Sequence, residues 1–107
     1  MESVCNRLSS IIHRTSLIMS KCKGFRKVVI NISIPQFAGD SIFYVSLSPN
    51  AQDNRIYLEV FSNRTVFSQP LPAIVVNGSG EVSSKAGYLT LFFEKLSSGV
   101  IVRLGDN

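Results

Sequence analysis

Val28-Val29-Ile30-Asn31-Ile32-Ser33-Ile34-Pro35 is the stretch where this chain changes its period. Val28, Ile30, Ile32 and Ile34 fall on every second residue, with Val29, Asn31 and Ser33 between them, which is the alternation of a strand with one strongly apolar face. Pro35, which has no N–H to give a ladder, ends it. Upstream the period is helical. From Glu2 to about Lys21 the apolar residues Val4, Leu8, Ile11, Ile12, Leu17, Ile18 and Met19 recur at spacings that make one helical stripe, and Gly24 is the expected stop. Glu2 near the start and Lys21 with Lys23 near the end suit the helix dipole, while Thr15 and Ser16 weaken the middle and leave room for a break.

Downstream, short apolar runs alternate with turn residues. Strands are expected over 42–47 and 55–61, joined by Ser48-Pro49-Asn50-Ala51-Gln52-Asp53-Asn54 as a hairpin loop of about six or seven residues. Ser62-Asn63-Arg64 turns into a strand over 65–69, Pro70 and Pro72 mark a sheet edge or crossing, and 73–76 is a short buried strand. Asn77-Gly78-Ser79-Gly80 is the strongest turn signal in the chain. Residues 87–96 and 99–104 form a last hairpin across Ser97-Ser98. The expected fold is α+β and mainly antiparallel β: an N-terminal amphipathic helix followed by a six- or seven-stranded small sandwich or open barrel. At 107 residues the chain has room for one core, so 1–107 is read as a single domain with a basic helical segment over 1–27 and a β-rich body over 28–107. Its 45% hydrophobic and 17% charged residues are too apolar and too weakly charged for a disordered chain.

The charge is unevenly placed. Residues 1–27 carry Arg7, Arg14, Lys21, Lys23, Arg26 and Lys27 against Glu2 alone, a balance of +5. The other eighty carry Arg55, Arg64, Lys85, Lys95 and Arg103 against Asp40, Asp53, Glu59, Glu81, Glu94 and Asp106, a balance of −1. A basic segment on a nearly neutral body points to an anionic partner: nucleic acid, lipid headgroups or an acidic protein surface. Arg7, Arg14 and Lys21, each seven residues apart, make a ridge beside the apolar stripe, and four cations fall within Lys21-Cys22-Lys23-Gly24-Phe25-Arg26-Lys27. The bland alternative is a solvated basic turn that aids solubility.

No apolar run reaches the roughly 18 residues of a membrane-spanning helix. Without a secretory signal a cytoplasmic or nuclear location is expected, and the Ser- and Arg-rich, acid-poor start makes mitochondrial import the rival. The sequons at Asn31, Asn63 and Asn77 are then chance matches. Cys5 and Cys22 lie at either end of the helical stretch, about 25 Å apart if it forms, so they read as reduced thiols, with an intermolecular bridge as the alternative.

Reaction chemistry is not visible. His13, the only histidine, sits on the helix two turns from Cys5 with no third group to orient it, and the two cysteines with one histidine match no zinc spacing. The carboxylates are scattered, with Glu59 and Glu94 expected to face solvent, and Asn77-Gly78-Ser79-Gly80 lacks the Lys-Ser/Thr of a phosphate-binding loop. Lys23-Gly24-Phe25 before a strand shares three residues with the first RNA-contacting motif of RRM domains; Arg26 and Lys27 then stand where that motif has a small residue and an aromatic, so no family is assigned.

Aromatics occupy the second face of several strands. Tyr44 alternates with Phe43 and Val45, Tyr57 and Phe61 with Ile56, Leu58 and Val60, and Tyr88 and Phe92 with Leu89, Leu91 and Phe93. Such faces need a cover: a partner subunit, a second sheet, the helix, or stacked bases. Few lysines guard the strands, so a homo-oligomer is expected. The resulting expectation is a non-enzymatic binding module without metal or cofactor, contacting nucleic acid through Arg7, Arg14, Lys21, Lys23, Arg26 and Lys27, with Tyr44, Tyr57, Phe61, Tyr88 and Phe92 as an interface. The alternatives are an assembly protein that uses the aromatic face, or peripheral membrane contact with Leu8, Ile12 and Met19 inserted.

Overall fold

A computed structural model describes residues 1–107 except Lys23, Phe25, Asp106 and Asn107. One helix, α1 (Glu2–Lys21), precedes eight strands: β1 (Lys27–Ser33), β2 (Tyr44–Asn50), β3 (Arg55–Phe61), β4 (Val66–Pro70), β5 (Val75–Ser79), β6 (Glu81–Ser83), β7 (Tyr88–Leu96) and β8 (Gly99–Gly105). They form two four-stranded sheets, β1-β7-β8-β5 and β4-β3-β2-β6. Every pairing is antiparallel except β5 with β8. The class is the α+β sandwich read from the alternation, with eight strands in place of six or seven.

The extra strand comes from the run read as the strongest turn. Asn77, Gly78 and Ser79 continue β5, and Gly80 leads straight into β6, so one extended segment leaves the first sheet and joins the second. The glycines serve close approach. A Cβ on Gly78 would stand 2.6 Å from Ile56 Cγ2, and one on Gly80, whose φ is +112°, would stand 2.5 Å from Leu104 O. Gly80 O also accepts from Leu47 N–H of β2 at 3.0 Å, which seals this side of the sandwich.

The β2–β3 loop is shorter than expected, four residues from Ala51 to Asn54, because Ser48, Pro49 and Asn50 stay in the ladder. Leu47 points its N–H away from β3, and Pro49, two residues on, points its missing donor the same way. Pro70 solves the same problem on β4, an edge strand: its neighbour Leu71 donates to Ile56 O of β3 at 2.8 Å, so Pro70 faces outward.

α1 is continuous through Thr15 and Ser16, and it leaves the helix at Cys22 in extended conformation, before Gly24. Its buried stripe is Val4, Cys5, Leu8, Ile12, Ser16 and Met19, and it packs against β3, β4, β7 and β8. Tertiary packing overrides the weak local propensity at Ser16. Ser16 Oγ is buried without a hydrogen-bond partner. Leu17 and Ile18, expected in the stripe, are instead 43% and 54% exposed. Leu8, Ile12 and Met19 lie in the core shared with both sheets, which removes them as membrane-inserting residues. No described helix is long and apolar enough to cross a membrane.

Candidate nucleic-acid interface

Two consecutive helix residues fix how α1 is turned. The Gln69 amide of β4 donates to Asn6 Oδ1, and Arg7 Nη1 donates to Ser33 O of β1 at 3.0 Å. Successive residues are about 100° apart around a helix, so one flank of α1 faces the β4 edge and the other the β1 edge. The helix closes the side of the sandwich opposite the β5–β6 crossing. At its far end Lys95 Nζ of β7 donates to Cys22 O at 3.2 Å, which holds the helix C-terminus to the first sheet.

This orientation decides where the cations go. Arg7, Arg14 and Lys21 are exposed and, at about 100° per residue, form a stripe roughly 150° from the centre of the buried one. They span about 21 Å of axis on the outward side of α1, and Arg7 alone reaches β1, through its bond to Ser33 O. Arg14 Nη2 also donates to Ser10 Oγ at 3.2 Å, one turn back. Arg26 and Lys27 are exposed at the start of β1, beside the helix C-terminus, and Arg26 O accepts from Lys95 N–H at 2.7 Å. Lys23 lies outside the described residues. Five of the six cations singled out from the sequence thus border one side of the molecule.

The even-numbered residues of β1 turn their backbone groups to β7, as Ile34 N–H does to Gly87 O at 2.9 Å. Lys27, Val29, Asn31 and Ser33 therefore face the free edge with theirs, and their side chains form the outer surface of the first sheet. Across that surface Lys27, Glu94 and Ile101 make one row, and Val29, Phe92 and Arg103 make the next. The Arg103 guanidinium carbon lies 5.7 Å from the centroid of the Phe92 ring. Arg103 escaped the sequence reading. The two-residue turn Ser97-Ser98 sets Leu96 opposite Gly99, and counting back from that pair places Arg103 opposite Phe92.

The five aromatics are on outer faces, as alternation implied, but on two different sheets. Tyr88 and Phe92 belong to the first, while Tyr44, Tyr57 and Phe61 belong to the second. On the second sheet Ser83, Tyr44, Phe61 and Val66 make one row, with the Tyr44 and Phe61 rings stacked at 5.6 Å. The next row is Glu81, Ser46, Glu59 and Ser68. Tyr57 Oη donates to Asp53 Oδ2 at 2.5 Å. That bond is the main reason the Asp53 carboxyl is held below its ordinary value and the Tyr57 hydroxyl above its own.

Burial, aided by the charge of Glu2, pushes the Cys5 thiol up, and His13 is exposed on α1. Cys5 and Cys22 are both free. Among the described residues no three of His, Cys, Asp and Glu gather to hold a metal ion. No family model, curated protein or solved structure matches the chain.

Proposed function

We propose that this chain is a non-enzymatic, homo-oligomeric binding module that holds nucleic acid through its phosphates. The supporting observation is the alignment of exposed Arg7, Arg14 and Lys21 along the outward side of α1, with Arg7 bonded to β1 at one end and Arg26 and Lys27 exposed beside the other. Exposed cations on a helix and a strand start can meet phosphates along a nucleic acid without reading its bases. Lys23 completes the set from the sequence. Self-association is supported by the apolar side chains left outside, including Val29 and Val66, each 60% exposed on a different sheet.

The test is light scattering and fluorescence anisotropy with mixed-sequence RNA and DNA over a range of salt. Five to six phosphate contacts give a slope of log K against log salt of about −3.5 to −4 on a single strand and about −4.5 to −5.5 on a duplex. Neutralising Lys21, Lys23, Arg26 and Lys27 to Gln together is expected to abolish binding at moderate salt; unchanged binding overturns the proposal. The row Tyr44, Phe61 and Val66 favours a second reading, an assembly protein that associates through its second sheet. A salt-resistant oligomer indifferent to nucleic acid would select it.

A further inference from the structure

Resting on the nucleic-acid reading, we infer that the outer face of the first sheet carries a stacking site for an unpaired base, built from Phe92 with Arg103 and Lys27 beside it, so that the ligand is a single strand. Phe92 is half-buried between an exposed Val29 on β1 and Arg103 on β8. Its ring lies over Gly105: a Cβ there would stand 2.9 Å from Phe92 Cε2. The missing side chain leaves room for the ring to lean over β8, where the guanidinium of Arg103 meets it. A base can take the place of the guanidinium on the Phe92 ring, since every base has a face to stack, and the displaced Arg103 can then meet a phosphate of the same strand.

The aromatics of the second sheet lack this setting. Tyr44 and Phe61 stack on each other beside the row that holds Glu59 and Glu81, and the Tyr57 hydroxyl is committed to Asp53. Phe92 has a cation as its cross-strand partner and Lys27 in the adjacent row, and β1 separates it from the cation stripe of α1. A strand whose phosphates follow that stripe can cross β1 and lay a base on Phe92. A duplex cannot, because its base faces are already stacked within it. Glu94, opposite Lys27, is the one carboxylate in these two rows and opposes phosphate there.

The whole protein is titrated with a labelled oligothymidylate of about 20 nucleotides and with a duplex of equal length, at low salt. Phe92→Ala is expected to weaken single-strand binding by about 5- to 100-fold and leave duplex binding and the salt slope unchanged. Arg103→Gln is expected to reduce the single-strand slope by about 0.7. The chain has no tryptophan, so Phe92→Trp introduces a single reporter, and retained duplex binding shows that the Ala variant is folded. Quenching of that indole by the single strand but not by the duplex supports the site. Salt-dependent binding without quenching, and without loss in Phe92→Ala, overturns the stacking site while the phosphate reading stands. Binding of neither nucleic acid overturns both.

Discussion

The two sheets bury the same kind of face and expose opposite ones. Inside, β3 contributes Ile56, Leu58 and Val60, and β7 contributes Leu89, Leu91 and Phe93, all in one core. Outside, the first sheet sets Lys27 and Arg103 around Val29 and Phe92, while the second sets Glu59 and Glu81 beside Tyr44, Phe61 and Val66. Folding selects for the inner faces alone, which leaves the outer ones free to specialise. The helix adds to the contrast, because the Arg7 bond to Ser33 places that cation beside the first sheet.

The sharpest test of that contrast is to strip charge from each side in turn. Losing Lys21, Lys23, Arg26 and Lys27 is expected to reduce single-strand affinity at 0.1 M salt by about 10²- to 10³-fold, read by anisotropy. Changing Glu59 and Glu81 to Gln on the other face leaves the salt slope as it was. A common fall in both variants would erase the distinction. The inner faces, by contrast, are expected to respond alike. Leu58→Ala in β3 and Leu91→Ala in β7 both remove fully buried side chains, and each is expected to cost about 2–5 kcal/mol in urea unfolding.

A smaller effect of opposite sign is expected beneath the helix. Ser16 Oγ has no partner in the core, so Ser16→Ala removes a desolvated hydroxyl and improves helix propensity, raising stability by about 1–2 kcal/mol in thermal unfolding. The smallest effect concerns the second sheet alone. Tyr57→Phe deletes the main donor to Asp53, so the Asp53 carboxyl is expected to titrate closer to its ordinary value when followed by NMR. Its folded value is depressed, so the stability it contributes is present above the unfolded carboxylate range and is lost as pH falls through the folded value.

Periodicity made the helix and most strands legible, and alternation within the strands showed the outward aspect of all five aromatics. It could not sort those aromatics between sheets, because that depends on which strands become neighbours. Asn77-Gly78-Ser79-Gly80 misled for a related reason. Glycine permits both a tight turn and a close approach, and only Ile56 and Leu104, more than twenty residues away in either direction, distinguish the two. Leu17 and Ile18 were assigned inward because they are apolar and near the period, yet a stripe running through Ile12, Ser16 and Met19 turns them out. The cation cluster was legible because charge is read without geometry. Pairing Arg103 with Phe92 required strand register, which the Ser97-Ser98 turn supplied and the reading left unused.

The β5–Gly80–β6 segment also governs how this molecule comes apart. Since one uninterrupted stretch of backbone is hydrogen-bonded to β8 at one end and to β2 at the other, neither layer can peel away while the other stays whole. Parting the two layers therefore requires breaking this segment's pairing at one end, and because its partners lie far along the chain, its closure belongs to the slow, non-local part of assembly.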